Sequence, residues 1–199
     1  MMFLLQQGQF GRTLLGGGGG GGSSTVVYTH NSNGFIAVDV IGQGVGLYKF
    51  DSSFGTLTAA ELILYVDQTG SITLTLGNSP TNMTLRGTVF VDGSFSSPLI
   101  ALNNILNLTD PDVSAVTTTG DVLMTPNSSV THGGLSATDS LTLDLSSILA
   151  DLTASGTVAL NLSGRTFSDL ALSGGGSFGN GSSSTLARFR SQITYTYTP

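Results

Sequence analysis

Residues 71–77 read SITLTLG, and this short stretch indicates an all-β fold. Its apolar side chains, Ile72, Leu74 and Leu76, are separated by two threonines. Successive side chains of a β-strand leave opposite faces of the sheet, so the alternation predicts a strand with one buried and one solvated face. Strands of this kind are typical of antiparallel sheets that pack one face on a core.

The same alternation recurs in residues 82–91, NMTLRGTVFV, in residues 140–145, SLTLDL, and in residues 156–164, GTVALNLSG. Glycine-, asparagine- and proline-rich turns separate the segments. We therefore predict roughly nine or ten strands in an antiparallel β-sandwich with Greek-key or jelly-roll-like connections. The residues predicted to face inward are Met83, Leu85, Val89 and Val91; Leu141, Leu143 and Leu145; and Val158, Leu160 and Leu162.

Two segments interrupt the strand pattern. In residues 99–108, LIALNNILNL, the spacing of Leu102, Ile105 and Leu106 predicts one or two helical turns. Residues 146–152, SSILADL, indicate a second short helix with Ser146 or Ser147 as its N-cap.

Composition limits the function classes. The chain has 199 residues, of which 39% are hydrophobic and only 9% charged, and its net charge is −6. A chain of this size can bury one core, and without a basic surface it is not expected to bind nucleic acid. It has no cysteine, which excludes disulfides and thiolate metal sites. Its apolar runs are too short to predict a membrane span.

An apolar arm precedes the alternating region. Residues 1–15 form this arm, residues 16–24 form a Gly/Ser linker, and residues 25–199 form the predicted β-sandwich domain. MMFLL is too short for the apolar part of a signal peptide, so either a leader has been removed or export uses another route. The arm residues predicted to form a subunit interface are Met1, Phe3, Leu5, Phe10, Leu14 and Leu15.

Such an arm exposes large side chains that a partner can cover. In β-strand addition an extended segment completes the sheet of a neighbour, and the glycines let the arm leave its own domain. Head-to-tail addition between copies need not close into a ring. The sequence therefore favours a structural subunit of an extracellular filament or surface layer, with other copies of itself as partners. The alternative for the arm is a disordered terminus or a strand folded back in a monomer.

A second function class stays open: a monomeric carbohydrate- or matrix-binding module, with extracellular polysaccharide as its partner. Sugar sites favour exposed aromatic side chains. Tyr195 and Tyr197 share one face of a predicted strand with Phe189 and Ile193, which favours a core or intersubunit role over a sugar platform.

Catalytic motifs are weak, and we predict no enzyme activity and no cofactor. His30 and His132 are the only histidines, and no G-x-S-x-G elbow accompanies them. His132 is followed by two glycines, which indicates a turn. Glu61 is the only glutamate, so paired carboxylates for glycoside hydrolysis are poorly supplied.

Two glycine- or acid-rich motifs also have ordinary structural explanations. Gly42, Gly44 and Gly46 lack the spacing of a dinucleotide loop and predict a bulge in a strand. Asp110 and Asp112, with Asp121, offer oxygens to Ca²⁺, but an Asp-Pro turn is favoured because the EF-hand pattern is absent.

Four segments resemble the choice-of-anchor E domain family. Residues 47–71, LYKFDSSFGTLTAAELILYVDQTGS, are similar to its opening signature, and residues 193–199, ITYTYTP, to its closing stretch. Residues 145–164 and 166–181 are similar to the region between them. The resemblance implies an exported bacterial β-domain at the cell surface, often with a sorting tail of the PEP-CTERM type. It implies no enzyme activity, and the glycine-linked arm departs from the family pattern.

Overall fold

The structure is a computed structural model that describes residues 9–15, 22–31, 34–37, 41–109 and 113–199. Strands dominate these ranges. They are β1 (Gln9–Leu15), β2 (Ser24–Asn31), β3 (Ile36–Ala37), β4 (Ile41–Tyr48), β5 (Phe50–Asp51), β6 (Thr56–Leu76), β7 (Met83–Ser96), β8 (Val113–Thr118), β9 (Val122–Met124), β10 (Ser128–Asp144), β11 (Thr153–Ala154), β12 (Ala159–Gly174) and β13 (Gly179–Thr198). The helices are α1 (Ile100–Thr109) and α2 (Leu149–Leu152), with 3-10 turns at Ser52–Phe54, Ser146–Ile148 and Gly176–Phe178.

Two sheets face each other across one core, which confirms the predicted all-β sandwich. Sheet A has the order β1-β2-β13-β6-β10, with β3 beside β13, and sheet B has the order β4-β12-β7-β8, with β9 beside β7. All pairings within the two sheets are antiparallel. The short strands β5 and β11 pair in parallel outside them.

The long pair formed by β6 and β13 is the centre of sheet A. It runs from Gly179 opposite Leu76 to Thr198 opposite Thr56. Ile72, Leu74 and Leu76 all lie in the core, as their alternation predicts.

The other predicted inward positions are mostly correct. Leu85, Val89, Val91, Leu143, Leu145, Leu160 and Leu162 are buried, while Met83 and Leu141 are partly buried and pack against the same core. Val158 is the exception, with 41% of its surface exposed. It precedes β12 and lies beyond the end of the buried layer, where its carbonyl accepts a hydrogen bond from Lys49 N at 2.8 Å.

Both predicted helices are present, with differences in length and capping. The helix α1 has ten residues, longer than the expected one or two turns, and it buries Leu102 and Leu106. The predicted serine cap before α2 is wrong. The Asp144 carboxylate instead accepts hydrogen bonds from the Ser146 backbone N at 2.9 Å and from its Oγ at 2.6 Å.

A bulge lies within the glycine-rich part of β4, as predicted. Gly164 of β12 is opposite Gln43, but the next residue, Arg165, is opposite Ile41. Gly42 is therefore the extra residue of the bulge.

Phe189 joins the two sheets through the core. Its ring belongs to β13 and lies over Gly164 and Gly93 of sheet B, where a Cβ atom built on Gly164 would be 2.5 Å from the ring. The ring also meets Phe95 edge-on, with centroids 4.9 Å apart. The two glycines thus leave the space that the fully buried Phe189 ring fills.

We expect Gly164→Ala to lower the free energy of unfolding by about 1–3 kcal/mol, because the added methyl group overpacks the core beside Phe189. Denaturant unfolding measures this change. The matched control is Gly133→Ala in β10, where an added Cβ meets no atom within 4 Å. Equal stability losses in the two variants would contradict the packing of Phe189 against Gly164.

Candidate assembly interface

Three of the six residues predicted to form a subunit interface lie in the part of the chain that the structure describes. Phe10, Leu14 and Leu15 lie in β1, whereas Met1, Phe3 and Leu5 lie outside the described residues. The strand β1 pairs antiparallel with β2 of the same chain along its whole length. For residues 9–15 this pairing is the folded-back arrangement that the sequence left open as an alternative.

The strand β1 lies at one end of sheet A. In the part of the chain that the structure describes, β2 is its only strand partner. Contacts between the sheets join β2 and β13 to β4, β13 to β12, β6 to β7 and β8, and β10 to β8. Among the described residues, β1 contacts the sandwich mainly through its ladder with β2.

The neighbouring strand β2 is firmly anchored. Val26 and Tyr28 are buried in the core, and β2 also pairs with β13 over residues 24–31. The ring of Tyr28 meets the ring of Tyr195 edge-on, with centroids 6.0 Å apart. The strand that pairs with β1 is therefore held by the core on its inner face and by β13 along its other edge.

The C-terminal tyrosines belong to the core, which excludes them as a sugar platform. Tyr195 is fully buried and its hydroxyl donates to Tyr48 O at 2.9 Å. Burial raises the pKa of Tyr195 well above its ordinary value. Tyr197 packs on Phe50 with ring centroids 5.2 Å apart.

A buried ion cluster lies on the outer face of sheet A, and sequence analysis missed it. We call Asp67, Thr138, Arg188 and Arg190 the Asp67 cluster. Asp67 Oδ2 accepts from Arg188 Nε at 2.7 Å and from Arg190 Nε at 2.6 Å. Its Oδ1 accepts from Arg190 Nη2 at 2.8 Å and from Thr138 Oγ1 at 2.6 Å.

Aromatic rings pack against both guanidinium groups of this cluster. The guanidinium of Arg190 lies 4.4 Å from the ring centroid of Tyr65, and that of Arg188 lies 4.8 Å from the centroid of Phe35. The side chain of Asp67 is only 5% exposed. The cluster therefore pins three adjacent strands, β10, β6 and β13, at one point of their register.

The charge state of Asp67 follows from these contacts. Burial by itself would raise the pKa of Asp67, but hydrogen bonds from Arg190, Thr138 and Arg188 outweigh burial and hold the pKa well below its ordinary value. The carboxylate stays ionised at neutral pH and has four donors, so it serves structure rather than proton transfer.

The other acidic residues and histidines considered for metal or catalytic sites do not come together in one site. Asp121 forms an exposed ion pair with Arg86 at 2.8 Å, and Asp110 and Asp112 lie outside the described residues. The described residues contain no group of three or more His, Asp or Glu side chains that could hold a metal ion. Glu61 lies in β6, as expected.

His132 is paired in β10 immediately before a bulge, and it does not lie in a turn. The register with β6 shifts between His132 and Leu135, and the two glycines between them make the bulge. Backbone pairing of His30 is described, but its side chain is not.

Comparisons with known proteins do not identify a family for this chain. A scan of the chain against protein-family models finds no match, and a search of curated proteins finds none either. The resemblance to the choice-of-anchor E family therefore stays a prediction from its motifs. No helix among the described residues is long and apolar enough to cross a bilayer.

We expect Asp67→Asn to lower the free energy of unfolding by about 2–3 kcal/mol at pH 7, because it leaves two arginines without their carboxylate. This is less than the ~3–5 kcal/mol typical of a fully buried pair, since both arginines are partly solvated. Chemical denaturation measures the loss. The control is Asp121→Asn, which removes an exposed ion pair and should cost less than about 1 kcal/mol.

The same pair of proteins tests the pKa of Asp67. Its folded-state pKa lies below the unfolded value of about 3.9, so its contribution is present above that pH and is lost as the pH falls towards the folded pKa. The stability difference between the wild type and Asp67→Asn should therefore shrink from pH 5 to pH 2. A constant difference over that range would contradict the assignment.

Proposed function

We propose that this protein is a structural subunit of an extracellular filament or surface layer, and that copies assemble head to tail by exchange of the N-terminal arm. The observation that carries the proposal is the position of β1. It is an end strand joined to the rest of its own chain through a glycine-rich segment, and it pairs with the anchored strand β2.

Strand exchange uses the pairing that β1 already makes. In domain swapping, the contact between an element and its own domain is remade with the domain of a neighbour. The backbone hydrogen bonds between β1 and β2 have the same form whether β1 comes from the same chain or from another copy. Exchange therefore needs no new surface on the sandwich.

The linker makes exchange physically accessible. Residues 16–22 are seven consecutive glycines, which adopt backbone conformations that other residues avoid. The eight residues 16–23, which connect β1 to β2, can span at most about 30 Å when extended. Exchange requires that β2 of an adjacent subunit lie within this reach of the donor subunit's own β2.

The apolar residues before β1 add a driving force. Burial of Met1, Phe3 and Leu5 against a neighbour would contribute about 1.5–3 kcal/mol for each side chain. An arm donated to the next copy creates a heterologous contact, and repetition of such a contact builds an open filament rather than a closed dimer. The proposal assigns no catalytic activity and places the protein outside the cell, in line with its resemblance to exported domains.

Engineered cysteines can distinguish exchange from the folded-back arrangement, because the natural chain has no cysteine. Thr13 of β1 is directly opposite Val27 of β2, at a separation that suits a disulfide between paired strands. We expect a mixture of Thr13→Cys and Val27→Cys subunits to form a disulfide-linked dimer after assembly under mild oxidation. Non-reducing electrophoresis measures it.

The control mixture combines Thr13→Cys with Thr142→Cys, which places the second thiol on β10 at the opposite end of sheet A. This mixture should give no more than background cross-linking. The exchange proposal is wrong if two results occur together. The mixture of Thr13→Cys and Val27→Cys subunits shows only background cross-linking, and the double variant Thr13→Cys/Val27→Cys forms its disulfide within single chains.

Deletion of residues 1–22 is a second test. The truncated protein should retain the sandwich from β2 to β13, because these strands form the core, but it should remain monomeric. Circular dichroism checks its fold, and electron microscopy with analytical ultracentrifugation checks its assembly. Filaments from the truncated protein that match those of the full chain would refute the role of the arm.

A further inference from the structure

The outer face of sheet B carries an apolar patch that the proposed assembly does not use. We call Phe90, Asp92, Val116, Phe167 and Asp169 the outer-face patch. Phe167 is 50% exposed and Val116 is 45% exposed. Contiguous exposed apolar side chains of this kind mark interaction surfaces more often than isolated ones do.

Strand register brings the five side chains together. Phe90 of β7 is opposite Asp169 of β12 on one side and Val116 of β8 on the other. Two residues farther along β7, Asp92 is opposite Phe167. Neighbouring strands are about 4.8 Å apart, so the two rings and the two carboxylates alternate on adjacent strands of one face.

The polar groups of the patch are available to a ligand. Within the described ranges, neither Asp92 nor Asp169 accepts a side-chain hydrogen bond, in contrast to Asp67, Asp121 and Asp144. Arg165 is exposed and lies two residues before Phe167 on the same face of β12. The patch thus offers hydrogen-bond acceptors and a donor around apolar rings.

We propose that the outer-face patch binds a neutral polysaccharide. A sugar ring presents an apolar face of C–H groups that packs on an aromatic ring, and its hydroxyls both donate to carboxylates and accept from a guanidinium. An outer sheet face formed by the adjacent strands β12, β7 and β8 suits an extended chain that lies across them.

Charge disfavours the other occupants. A polyanion such as nucleic acid would approach two carboxylates on a chain of net charge −6. A second copy that packed through the same patch about a two-fold axis would bring its carboxylates close to those of the first. A neutral, hydroxyl-rich polymer meets neither repulsion.

Affinity electrophoresis of the full-length protein tests the proposal, in native gels that contain dextran, hydroxyethyl cellulose or polygalacturonate. We expect at least one neutral polysaccharide to retard the wild type, and Phe167→Ala to weaken that retardation at least tenfold. The matched control is Phe178→Ala, which removes another exposed phenylalanine outside the patch, at the 3-10 turn before β13, and should migrate like the wild type.

Each other result overturns the proposal. These results are no retardation by either neutral polymer, retardation by polygalacturonate alone, or equal loss in the Phe178→Ala variant. A change in sedimentation of Phe167→Ala without any change in the gels would instead assign the patch to contacts between copies. The arm-deleted protein should bind as the full chain does, which separates a failure of this proposal from a failure of the filament proposal.

Discussion

The register between β6 and β13 is the constraint on which the rest of the structure depends. On the outer face it places Asp67 between Arg188 and Arg190, and on the inner face it directs Phe189 into the space above Gly164. A shift of one residue would turn every side chain of a strand to the other face and would break both arrangements at once. Ionic and apolar contacts on opposite faces therefore specify the same alignment.

Local alternation predicts which way a side chain faces, but not which side chain it meets. In β13, Arg188 and Arg190 share the outer face of sheet A, and Phe189 between them faces the core. Their partner Asp67 is 121 residues from Arg188, and the pairing depends on a strand order that no local pattern contains. The same is true of Phe90 and Phe167, which become neighbours only through the register of β7 and β12. Val158 was misplaced because the alternation continues past the residue at which β12 begins.

The sequence of the arm does not determine which strand the arm pairs with. Its apolar content and glycine linker predict an arm that pairs with a neighbouring subunit, whereas β1 pairs with β2 of the same chain. Whether β1 pairs within its own chain or with another copy depends on the geometry of the linker and on the concentration of the protein. Pairing within one chain and pairing between copies use the same backbone groups, so their free energies differ mainly in linker entropy and in the contacts of residues before β1.

The place of β13 in sheet A has a consequence for biosynthesis. Although β13 follows every other strand in the chain, it lies between β2 and β6. A nascent polypeptide leaving the ribosome therefore lacks the middle of this sheet until residues 179–198 have been made. Sheet A therefore cannot be completed before β13 has been synthesised, however early β2 and β6 leave the ribosome.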